Sequence, residues 1–156
     1  MKTDYANNQS TYATTNHNWS NKIYYAHSIK FYNTQKELED LKFLSTLKSE
    51  IVNPNGLRFE GKRSMEPYLL LISESDSVWY RGDTIGVIQE VLTALTLNKP
   101  VYSLETKKSI TSQQISKFAR IFRESPYCNN DRKLVRILFG QDVSEQFVRI
   151  LEGDFP

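Results

Sequence analysis

The run at 86–102, GVIQEVLTALTLNKPVY, carries a single carboxylate, Glu90, inside an otherwise apolar helical pattern that leads into a β-branched segment. Such a group has two uses. In the first turns of a helix it faces N–H groups that favour negative charge, beside Gln89 and solvent; lining a ligand mouth, it acts as a nucleophile or a base. Gly86, four residues earlier, allows a ligand to approach the backbone closely. Further polar residues follow three short apolar segments: His27 and Ser28 after the first, Asn53 after the second, Arg81 and Asp83 after the third. In an open parallel α/β sheet, ligands bind outside the carboxyl ends of the strands. On that rule these side chains converge with Gly86 and Glu90 on one mouth.

The elements that must position them follow from pattern. KIYYAH is a β-branched and aromatic run that predicts an entering strand at 22–26. Thr34 followed by Glu37 spells a capping box, and Leu38, Leu41, Leu44 and Leu47 recur every three residues, predicting an amphipathic helix over 34–48 with those leucines on one face. EIVNP at 50–54 is a second strand stopped by Pro54. The apolar run 68–72 fits strand or helix by period; a helix over 64–73 leaves SVWY at 77–80 as the third strand, with SESD as the turn between. Val87, Ile88, Val91, Leu92, Ala94 and Leu95 cover more than half the circumference of the Glu90 helix, which is therefore largely buried. KPVYSL at 99–104 is the fourth strand. Thr111 and Gln114 cap a helix burying Ile115, Phe118, Ala119 and Phe122, and Gly140 divides two more helices over 130–139 and 143–152. Strands alternating with helices give an α/β fold: one flavodoxin- or Rossmann-like parallel sheet of four to five strands flanked by helices, with extra C-terminal helices.

A chain of 156 residues, 39% of them hydrophobic, holds one domain with a real core. Residues 1–21 contain eleven Asn, Thr or Ser and two charged groups, which predicts a disordered polar tail before a domain over 22–156. Twenty Lys+Arg against eighteen Asp+Glu, with no basic cluster, argue against nucleic acid. No run is apolar enough to span a membrane, the N-terminus lacks a secretory pattern, and the lone Cys128 makes neither an internal disulfide nor a cysteine metal cluster. The expectation is a cytoplasmic protein that needs no metal and no cofactor.

KIYYAHS, VNP, SDSVWY and GVIQEVLTALTLNKPVY, in that order and spacing, resemble the nucleoside 2-deoxyribosyltransferase superfamily over 22–105, leaving 107–156 as a helical C-terminal part. The resemblance implies that Glu90 attacks the anomeric carbon of a nucleoside and holds the sugar until another base or water takes it. It implies that Tyr24, or Tyr25 in its place, hydrogen-bonds the glutamate, and that His27 and Ser28 contact sugar or phosphate. It also implies an oligomer, with a neighbouring copy completing the pocket. Where that family commonly has an Asp two residues before the glycine, this chain has Thr84, with Asp83 one position earlier.

The expected function is cleavage or transfer of an N-glycosidic bond in a nucleoside, nucleotide or NAD-like molecule. Glu90 is the nucleophile, Asp83 or His27 the acid for the leaving base, and Asn53, Gly86, Tyr25 and Arg81 are binding residues. Two alternatives stand beside it: a Toll/interleukin-receptor-like NAD-cleaving enzyme, and a nucleotide-binding sensor or scaffold without catalysis.

Overall fold

The computed structural model describes residues 21–57 and 65–155. The tail expected over 1–21 thus lies, except for Asn21, outside the described residues. In chain order the elements are β1 (Lys22–His27), α1 (Gln35–Ser45), β2 (Glu50–Val52), α2 (Glu66–Ser73), β3 (Ser77–Arg81), α3 (Ile85–Thr96), β4 (Val101–Ser103), β5 (Lys108–Ser109), α4 (Ser112–Arg123), α5 (Cys128–Phe139) and α6 (Gln141–Leu151). Two short 3-10 turns, Ile29–Phe31 and Pro54–Gly56, follow β1 and β2. The ambiguous apolar run before β3 is helical, which leaves Ser77–Arg81 free to pair as a strand.

The sheet has five strands in the order β2-β1-β3-β4-β5, parallel except for the last pair. This is an α/β fold of the flavodoxin-like kind, six helices flanking a mostly parallel sheet. The chain steps from β1 outward to β2 and then crosses to β3 on the other side. The strand order therefore reverses between β1 and β3, where such sheets open a crevice at their carboxyl ends. The antiparallel β5 was not expected: it is two residues long, and so short a polar edge carries no alternation to read.

Side-chain alternation along the strands divides the core in two. Tyr24, Ala26, Val78, Tyr80 and Val101 join the buried faces of α2, α3, α4, α5 and α6. Ile23, Tyr25, Ile51 and Trp79 meet Leu44 of α1 and Leu104 in a much smaller cluster. The leucine stripe expected on α1 is not its buried face. Leu44 is buried and Leu41 half-buried, but Leu38 and Leu47 are exposed, and the residues turned inward with Leu44 are Glu37 and Asp40. A spacing of three drifts about 60° per step against a 3.6-residue turn, so four such leucines cannot share one side. The expected end at residue 48 is likewise corrected: the helix stops at Ser45, and Lys48 takes a left-handed φ of 56°.

Between β3 and α3 the backbone passes close to the turn after β1. Gly82 has φ +96°, and a Cβ there would meet the Phe31 ring at 3.3 Å, so glycine fits this crossing on both grounds.

Candidate functional site

Glu90 lies in the second turn of α3, which is buried along most of its length because the sheet is on one side and other helices cover the rest. Its side chain turns toward β1, where the Tyr24 hydroxyl donates to Glu90 Oε2 at 2.7 Å. Tyr24 is wholly buried and Glu90 is 6% exposed. The carboxyl is therefore neither on the solvent side of the helix nor a cap at its start. Burial pushes its pKa from the ordinary 4.5 up to about 8, and the Tyr24 hydrogen bond opposes that rise by stabilising the ionised form. Tyr24 itself is raised, by burial first and then by the neighbouring Glu90.

Glu90 is part of the wall of a cavity of about 320 Å³ at the carboxyl ends of β1 and β2. The turn after β1 contributes Ser28, Ile29 and Tyr32, the turn after β2 contributes Pro54, and Met65 and Tyr68 close the α2 side. Thr84, Gly86 and Val87 bring the start of α3 to the same space. Thr84 is the N-cap but its side chain makes no capping hydrogen bond, and no acidic side chain stands in the first turn. Among the described residues, nothing beyond its chain neighbours and its own helix backbone lies within 4 Å of the point a Cβ on Gly86 would occupy.

The side chains expected to converge here are in fact divided. Glu90, Gly86 and Ser28 line this cavity, and Tyr24 lies behind Glu90, bonded to it; Ser28 also accepts from the Lys30 N–H at 3.3 Å, capping the turn that follows. His27 touches the cavity, but its side chain is fully buried, stacked on Tyr25 with ring centroids 3.6 Å apart. Its Nε2 lies 2.8 Å from Glu37 Oε2 and its Nδ1 lies 3.1 Å from the Tyr25 carbonyl, so both ring nitrogens are engaged away from the cavity. Burial lowers its pKa, opposed by those two partners.

Tyr25 points to the other face of the sheet, as strand alternation requires. It donates to Asp40 Oδ2 at 2.6 Å, and Arg81 grips the same carboxylate with Nε at 2.6 Å and Nη2 at 2.9 Å. That hydrogen-bonded pairing raises the Arg81 pKa, against some desolvation. Asn53 accepts from the Asn55 N–H at 3.0 Å and caps the Pro54–Gly56 turn. Asp83 lines a separate depression of about 380 Å³ with Arg81, Gly82 and Lys117. Past the positive-φ turn at Gly82, it stands apart from Glu90.

The sequence marks Glu37 only as the capping-box partner of Thr34 and gives Asp40 no role. Both are at least 95% buried. Apart from that capping box their signal was position: three residues apart, each four residues before a leucine, Leu41 and Leu44 respectively, on the inward side of a helix whose leucines do not form a consistent stripe.

Comparison of the chain with protein-family models, with curated proteins and with solved structures gave no match. Fold and site together define a flavodoxin-like α/β protein with a buried carboxyl–phenol pair whose carboxyl lines a cavity beside its topological switch point. No helix among the described residues is long and apolar enough to cross a membrane.

Proposed function

We propose that the protein breaks or transfers the N-glycosidic bond of a nucleoside, nucleotide or NAD-like molecule through Glu90. One observation carries this reading: Glu90, held by the buried Tyr24 hydroxyl at 2.7 Å, lines a cavity of small-molecule size. Heterolysis of a sugar–base bond builds positive charge on the anomeric carbon. A largely buried carboxylate stabilises that charge strongly, and its own ionisation is favoured as the charge develops. Glu90 then forms a bond to the anomeric carbon as the C–N electron pair leaves with the base. The base takes a proton from water at the open mouth, and a second base or water releases the sugar. Tyr24, donating to Oε2, leaves Oε1 to attack and holds the carboxylate in place.

A resting pKa of about 8 keeps Glu90 mostly neutral at pH 7, so turnover requires its proton to leave first. The side chains of Ser28 and Thr84 and the first-turn amides of α3 offer hydrogen bonds for sugar hydroxyls. An oligomer, which the resemblance implies, belongs to the same proposal and is read by analytical ultracentrifugation.

A second reading, ligand binding without turnover, is favoured by the separation of Asp83 from Glu90: among the described residues the cavity has no second carboxyl to assist a leaving base. One experiment separates the two. Wild type and Glu90→Ala are incubated with nucleosides, nucleoside monophosphates and NAD, and released base is measured by chromatography. Base released by the wild type alone supports the enzyme, and nicotinamide among the products marks NAD cleavage. Thermal stabilisation by one of these compounds without product supports the binding module.

A further inference from the structure

The wall of the Glu90 cavity is tied to a carboxylate on a different helix. Ser28, Ile29 and Tyr32 belong to the segment that joins His27 to Asn33, and both ends of that segment meet Glu37 of α1. His27 Nε2 is 2.8 Å from Glu37 Oε2, and the Asn33 N–H donates to Glu37 Oε1 at 2.8 Å. Asn33 takes a left-handed φ of 62°, uncommon for a residue other than glycine, and in that conformation its N–H reaches the carboxylate. The neighbouring wall residue, Pro54, precedes Asn55, whose side-chain amide donates to both Glu37 oxygens at 2.9 and 3.0 Å.

Thr34 and Glu37 thus realise only half of a capping box. Thr34 Oγ1 accepts from the Glu37 N–H at 3.3 Å, but the Glu37 carboxylate turns to Asn33, Asn55 and His27. A buried carboxylate is costly unless hydrogen-bonded on every side. Here it is so bonded, and all its partners lie in or beside the two turns that frame the cavity.

We infer that Glu37 is a positioning residue, clamping the turns after β1 and β2 so that the cavity wall keeps its shape opposite Glu90. It touches neither the cavity nor a ligand and acts through His27, Asn33 and Asn55. The inference rests on the Glu90 cavity being the working site.

Glu37→Gln keeps the side-chain size but removes the charge and turns an NH2 group toward donors. In the base-release assay its KM rises about tenfold or more while kcat stays within about threefold, because the wall binds substrate and does not react. Amide hydrogen exchange, which needs no substrate, quickens about tenfold in 28–33 and 55–57 and is unchanged in 87–92 of α3. Asn55→Ala, a milder variant, quickens 55–57 alone. Unchanged exchange in both turns, or exchange quickened equally in the turns and α3, overturns the inference. Loosened turns with an unaltered KM overturn it too. If the wild type releases no base, the Glu90 reading fails by itself, and the exchange data alone decide whether Glu37 clamps the wall.

Discussion

At the scale of single residues, Glu90 was legible because a lone acid interrupts an apolar helix, and that contrast survives in one dimension. Asp40 was not, and Glu37 only as a helix cap, since a charged residue on a helix near other charges reads as solvent-facing until its partners are known. The raised pKa of Glu90 gives two tests. A carboxyl whose folded pKa lies above its unfolded value contributes stability that is fully present below about 4.5 and lost as pH rises through about 8. The wild type should therefore lose a few kcal/mol relative to Glu90→Gln between pH 5 and pH 9, read from urea midpoints at each pH; parallel curves would show that the carboxyl is not held neutral. Base release should climb about tenfold per pH unit below the Glu90 pKa. Tyr24→Phe removes the donor that favours the ionised form, so that limb should move up by about one unit and activity at pH 7 should fall about tenfold. Gly86→Ala adds a methyl group at a residue that lines the cavity, with nothing beyond its own helix and neighbours in the way. It should raise stability by about 0.5 kcal/mol or more through helix propensity while weakening substrate binding, which calorimetry measures on one sample.

At the scale of elements, helices α3 and α4 were readable because their apolar residues follow the helical period; Ile115, Phe118, Ala119 and Phe122 are all buried. Helix α1 was read as a helix but drawn three residues too long at its end and with the wrong buried face, because leucines at a spacing of three drift around the helix and polar pairing turns Glu37 and Asp40 inward beside Leu44. Asp40 anchors it by accepting from Tyr25 and from Arg81, whose side chain is only 14% exposed. Asp40→Ala leaves a guanidinium and a phenol without their acceptor and should cost about 3 kcal/mol in urea unfolding. The opposite sign is expected inside α3, where the wholly buried Thr93 hydroxyl has no hydrogen-bond partner among the described residues. Thr93→Val keeps the shape and removes the orphan, so it should be neutral or stabilising by up to about 1 kcal/mol. A loss larger than that would reveal a partner for the hydroxyl.

At the scale of the whole molecule, alternation of strand and helix gave away the α/β class, and the parallel pairing of β1 with β2 and β3 agrees with it. The distribution of helices over the two faces was hidden, because it depends on where crossovers pass and not on local period. Among the described residues that distribution is unequal: five helices build the large core on the Tyr24 side, while α1 is the one helix on the Tyr25 side, where its Leu44 joins Leu104 in a much smaller cluster. Two unequal layers need not open together. Helix α1 is held by few apolar contacts and several polar ones, so it forms a natural sub-global unit that can detach at a free energy below that of global unfolding. Exchange in low denaturant should find its amides opening before those of α3. Each such excursion would carry Glu37 away from the turns it joins, so the lifetime of the docked helix becomes a clock for the binding-competent state, set on the far side of the sheet from the carboxyl it serves.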